Sequence, residues 1–189
     1  MSTPILQSIL NDMHAILSSA VGPNDRRAYM RAHNIHGDIN WSFSLTPTDI
    51  IRDRIPSNVI GCTGRAKLFC HLATERDVSC DVVSMAAIPD WQREYHAAHG
   101  ITPNISRVVI NGHQMIAVDT PDGPRMFDPA RHRVTFLTTP PRIGGIIDIG
   151  APDEYLIRAI VPGDKFIPLS SYWELDALYR HGDISRHKN

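Results

Sequence analysis

The chain has 189 residues, enough for one domain with a substantial core and short for two. Hydrophobic residues make up 42% and charged residues 21%, the balance of an ordinary globular protein. A formal charge of −1 removes the usual grounds for expecting a nucleic acid or an anionic membrane as the main partner.

The opening MSTPILQSILNDMHAILSSA lacks the basic start and unbroken apolar stretch of a secretory leader, and no later run has the length of a membrane span. A cytoplasmic protein is expected, with leaderless export as an effector left open. The same stretch predicts a helix over 4–19, with Thr3 as cap and Pro4 as first helical residue. Its apolar face would gather Ile5, Leu6, Ile9, Leu10, Met13, Ile16 and Leu17. A second helix is predicted over 24–34 and a third over 47–54, capped by Thr46 or Thr48. IHGDINWSFSL between them reads as loop or isolated strand.

A fourth helix is predicted from about Cys62 to Glu75. Cys62, Ala66, Phe69, Cys70 and Ala73 share one stripe of it, and the two alanines allow close packing on a sheet. The period then changes to two. Strands are predicted at VSCDVVSMAA (78–87), SRVVI, HQMIAVDT, RMFDP, HRVTFL and YLIRAIV, with a break at Asn111–Gly112 and a turn at PDGP (121–124). Helices are expected at 90–100 and 170–182, the latter capped by Ser170 or Ser171, while 138–153 is rich in Pro and Gly. Helices followed by an antiparallel run of strands predict an α+β domain.

Cys62, Cys70 and Cys80 fit neither a disulfide framework nor a zinc knuckle, which points to a reducing compartment. Cys70 and Cys80 lie inside apolar patterns and read as core thiols. Cys62 differs. In the first turn of a helix, unpaired N–H groups and the macrodipole favour a thiolate. Gly61 and Gly64 would leave the backbone open on both sides for a substrate carbonyl, with the Cys62 N–H as an oxyanion donor. A nucleophile needs a base and an orienting group. His113, opening a strand after Asn111–Gly112, and Asp128, closing the next strand before Pro129, are the candidates.

His33-x-x-His36 and His96-x-x-His99 have the spacing of half a metal site but imply no third ligand, so no metal is expected. No cofactor is implied either. Trp41, Trp91 and Trp173 read as packing residues, although Trp41 and Asn58 are the nearest side-chain donors upstream of Cys62.

GCTGRAKLFCHLATERDVSCDVV, then GHQMIAV, then MFDPA, resembles the core of the transglutaminase-like (papain-like) superfamily of cysteine enzymes, over about residues 57–131. The resemblance implies a papain/transglutaminase-like α+β core, with the nucleophile helix packed on an antiparallel sheet. It makes Cys62 the nucleophile, His113 the base and acid, and Asp128 the orienting carboxylate. It would organise the chain as one domain, 1–189, with an N-terminal helical part (1–56), a catalytic core (57–137) and a C-terminal extension (138–189). Where the family often has an aromatic residue, Gly and Thr, this chain has Met115, Asp77 and Ala130; Asp tolerates the left-handed turn that Gly would make.

The implied activity is thiol-dependent acyl transfer on amide bonds: glutamine deamidation or transamidation, or peptide hydrolysis, with a protein or peptide substrate. A CoA-dependent N-acyltransferase and a non-catalytic module on the same scaffold are the alternatives. Pairing His113 directly with Asp128 requires a turn centred between Thr120 and Pro121. A two-residue Asp122–Gly123 hairpin would instead set Asp128 opposite Ala117. A longer loop over Thr120–Pro124, or a bulge, is expected to restore the shorter register.

Overall fold

The computed structural model describes residues 3–37, 39–87, 98–100, 111–143, 145–147, 149 and 155–163. It is an α+β structure, with helices first and then an antiparallel sheet. The helices predicted at 90–100 and 170–182, the SRVVI strand, Trp91, His96 and Trp173 lie wholly or mostly outside the described residues.

Helix α1 spans Thr3–Ser18 and buries Leu6, Ile9, Leu10, Met13 and Leu17. These recur at the three- and four-residue spacing that lines one helical face. Ile5, expected on that face, is 46% exposed. Helix α2 (Arg26–Ala32) begins where the Asp25 side chain accepts from the Ala28 N–H. Helix α3 (Pro47–Arg52) begins with a capping box: Thr46 accepts from the Asp49 amide, and the Asp49 carboxylate accepts from the Thr46 amide. Between them, Ile39–Phe43 forms a 3-10 helix where loop or strand was expected. The stretch is too short and mixed in polarity to sustain either a ladder or an α-helical face.

Helix α4 (Ser57–Thr74) packs against α1, α2, α3 and the 3-10 helix. Surrounded in this way, it buries far more than the predicted stripe: Val59, Ile60, Leu68 and Leu72 are enclosed together with Ala66, Phe69, Cys70 and Ala73. The chain leaves α4 through Asp77, whose φ of 54° is the left-handed turn its side chain tolerates.

Five strands follow: β1 (Cys80–Ala87), β2 (Asn111–Thr120), β3 (Gly123–Phe127), β4 (Ile146–Ile147) and β5 (Tyr155–Pro162), in the order β3-β2-β1-β5-β4. Asn111 and Gly112 belong to β2, so the predicted break before His113 is absent. The predicted HRVTFL strand is absent too, for a traceable reason. Its backbone is taken by side chains of α1: the Val134 N–H donates to Gln7 Oε1, Gln7 Nε2 donates to the His132 carbonyl, and His14 Nε2 meets the Arg131 carbonyl. With those groups satisfied by a helix, the segment reaches β3 through the Leu137 N–H, which donates to the Met126 carbonyl at 2.8 Å, without building a strand of its own.

The chain divides into two compact units. The first comprises Met1–Val82, Gln114–Pro140 and Val161–Phe166; the second comprises Val83–His113, Pro141–Ile160 and Ile167–Asn189. The first unit holds α1–α4, β2 from Gln114 onward, and β3. In it Phe69 of α4 meets Phe127 of β3 edge to face, ring centroids 5.2 Å apart, and Phe127 meets Phe136 in the same way at 6.0 Å. In the second unit β4 pairs with β5, Ile146 opposite Leu156, and the Ile157 N–H reaches the Gly145 carbonyl.

Candidate functional site

The start of α4 is not a simple helix end. Ser57–Ile60 is helical, Gly61 breaks the run with φ 64° and ψ −162°, and the longer segment continues from Cys62 to Thr74. That backbone region is open essentially to glycine alone. Cys62 thus stands in the first turn of the longer segment, as the sequence predicts, and is partly exposed.

Two guanidinium groups brace the break. A kink costs the preceding carbonyls their regular intrahelical donors. Arg26 Nε donates to the Val59 carbonyl at 2.9 Å. Arg65 reaches back across the kink, donating to Ser57 Oγ from Nε (2.9 Å) and from a terminal nitrogen (2.7 Å), and to the Ser57 carbonyl at 3.3 Å. Arg26 also lies over the Phe43 ring, 5.4 Å from its centroid. A Cβ on Gly61 would come within 3.1 Å of an Arg26 terminal nitrogen. A positive charge therefore lies against the residue that precedes Cys62.

The two glycines play different parts. Gly61 supplies the backbone turn that frees the Cys62 end of the helix. Gly64, expected to open the backbone to substrate, is buried; a Cβ there would sit 2.4 Å from that of Ile60, folded back over it by the kink. Its purpose is close packing, which corrects the sequence reading.

Lys67, one turn further on, is buried, with its ammonium donating to the carbonyls of Phe43 (2.8 Å) and Leu45 (3.2 Å). It pins the segment carrying Trp41 to α4. The Trp41 indole N–H is buried and has no acceptor among the described residues. The Asn58 amide is held by Asn24 Oδ1 at 3.2 Å.

Asp128 follows β3 directly and lies in the same unit as Cys62. Because Phe127 is locked on Phe69, Asp128 is tied through one residue to the helix that Cys62 opens. Its Oδ1 accepts from the Ala130 N–H at 2.8 Å, closing a turn over Pro129. The hairpin register runs unbroken from Thr120↔Gly123 to Ile116↔Phe127. The turn therefore occupies Pro121 and Asp122, the arrangement in which Pro presets the first central position and Gly follows the second. This corrects both sequence alternatives: there is neither a longer loop nor an Asp122–Gly123 centre. Continued by one residue, the register sets Asp128 in line with Met115, not His113 or Ala117.

His113, the third residue of β2, belongs to the second unit and is partly buried. There its ring lies edge to face with Tyr155 of β5, centroids 6.3 Å apart at 66°.

Among the described residues no group of three metal-binding side chains occurs, and no helix is long and apolar enough to cross a membrane. His33 is stacked on Tyr29, centroids 4.1 Å apart. Sequence reasoning missed Arg26, Arg65 and Lys67. Comparison with protein families, with curated proteins and with solved structures finds no match for the chain.

Proposed function

We propose that the chain is a thiol-dependent acyl-transfer enzyme of the papain/transglutaminase-like kind, with Cys62 as nucleophile, His113 as base and acid, and Asp128 as the orienting carboxylate. The observation that carries the reading is the setting of Cys62: partly exposed, in the first helical turn after a glycine-only break, with Arg26 braced against the preceding residue. Helix amides and a guanidinium both favour the thiolate over the thiol.

In the proposed reaction the Cys62 sulfur attacks an amide carbonyl carbon and the C–N bond breaks. His113 takes the thiol proton and returns it to the departing nitrogen. The Cys62 N–H donates to the oxyanion. Water or an amine then attacks the thioester and regenerates the thiolate. Substrates are side-chain or backbone amides of proteins and peptides. Support for the roles of His113 and Asp128 comes from their order in the chain after Cys62 and, for Asp128, from its place directly after β3; Asp128 also holds its own turn, so it serves the local fold as well.

The test compares proteins exposed to the wild-type chain and to Cys62→Ala, by mass spectrometry. Glutamine converted to glutamate, new glutamine–lysine crosslinks or new peptide termini should appear with wild type only. Identical profiles across all three products would contradict the reading.

A further inference from the structure

The three cysteines divide into one partly exposed residue and two that meet. Cys70 of α4 and Cys80, which opens β1, are 1% and 8% exposed, and their sulfur atoms stand 2.6 Å apart. That is well inside a nonbonded contact between two sulfurs. Both residues belong to one buried cluster with Phe69, Ala73, Val78 and Val82. Their backbones are fixed on either side: the Cys70 carbonyl accepts from Thr74 Oγ1 at 2.9 Å, and the Cys80 carbonyl from the Gly163 N–H at 3.2 Å.

We infer that Cys70 and Cys80 form a disulfide that clamps the C-terminal half of α4 to β1. Cys80 stands ten positions after Cys70, with the Asp77 turn between, so the spacing gives no hint and the tertiary structure alone makes the pair. The expectation of a reducing compartment does not extend to this pair.

The step requires an oxidant, here a small-molecule disulfide such as oxidised glutathione. The thiolate of Cys80, the more exposed of the two, attacks one glutathione sulfur and releases a glutathione thiolate. The Cys70 thiolate then attacks Cys80 Sγ, forming the protein S–S bond and releasing the second glutathione. Two protein thiols are oxidised, one glutathione disulfide is reduced, and the two protons pass to the released thiolates. Low exposure makes the reaction depend on local opening or on folding itself. The product withdraws two thiols from exchange and leaves Cys62 as the remaining cysteine, so the inference stands whether or not Cys62 is catalytic.

The full chain is equilibrated in glutathione buffers of graded redox ratio, quenched in acid, denatured, alkylated and mapped by mass spectrometry. The expected result in the most oxidising buffer is a linked Cys70–Cys80 peptide pair, with alkylation or glutathione on Cys62 alone. Alkylation of all three cysteines there, glutathione retained on Cys70 or Cys80 without the link, or a link involving Cys62 would overturn the inference. A second measurement needs no mapping: the oxidised wild type should melt higher than the same sample treated with a phosphine reductant, a difference absent in Cys80→Ala. Equal melting temperatures for oxidised and reduced wild type would contradict a clamp.

Discussion

The two ends of α4 carry a cysteine each, eight residues apart, and treat it in opposite ways. Around Cys70 the helix is closed: Ala66, Phe69 and Ala73 are fully buried, and the thiol meets Cys80. Around Cys62 the helix is broken and braced, with Gly61 outside the conformations of other residues and two arginines donating to the carbonyls of Val59 and Ser57. Residue type therefore does not decide what a cysteine does here. The backbone at one end is arranged to leave a sulfur approachable, and the packing at the other to put one away.

The sharpest way to break that contrast is to remove each sulfur's surroundings in turn. Cys62→Ala should lower acyl-transfer activity by roughly 10⁴-fold or more while leaving the melting temperature almost unchanged. Loss of stability without loss of rate would reverse the assignment of the two ends. At the closed end, Phe69→Ala removes the ring that joins α4 to β3 and should cost about 3–5 kcal/mol in chemical denaturation. A cost below about 1 kcal/mol would mean that the Phe69–Phe127 contact does not organise this end.

Gly61→Ala probes the break itself. A side chain forced into its φ and ψ should cost about 1–3 kcal/mol, and activity should fall further than the stability loss explains, because the turn that presents Cys62 shifts. A neutral substitution would show that the break is not built in. The smallest effect concerns the strand that follows the closed end. Burial first, and the Asp119 carboxylate second, hold the Asp81 carboxyl above the usual carboxylate range. Because that group is raised in the folded chain, its protonated form favours folding, and stability falls as pH rises through the raised value. Asp81→Asn should therefore stabilise by less than about 1 kcal/mol at neutral pH, with the gain vanishing in acid and activity untouched. A gain equally large at low pH would exclude like-charge repulsion as its source.

Much of this was legible in the sequence, and what was not has physical causes. Periodicity located α1, α4, β1, β2, β3 and β5, and local chemistry located the Thr46 cap, because each depends on residues within a few positions. The kink could be read only in part: Gly61 before Cys62 marked the spot, but Arg26 and Arg65 act from distances in sequence that no local pattern records. Gly64 looked like openness and proved to be close packing, since a glycine's absence of side chain has both uses. The hairpin register lies two positions from either expectation, because the turn takes Pro121 and Asp122 as its central residues and Gly123, at φ 99°, follows them. HRVTFL has a strand's alternation yet gives its backbone to polar side chains of α1, a tertiary choice.

The central claim is that the backbone around Cys62 holds its sulfur as a thiolate, and alkylation against pH tests it most directly. Native wild-type chain, Cys62→Ala and His113→Ala are treated with iodoacetamide between mildly acidic and alkaline pH, and the rate at Cys62 is read by peptide mass. The account predicts a half-maximal rate well below the value of about 8.5 for an ordinary thiol, with fast labelling persisting near pH ~6 in wild type and in His113→Ala alike, because the helix start lowers the thiol. A Cys62 that labels only as an ordinary thiol does, in wild type or in His113→Ala, would contradict it.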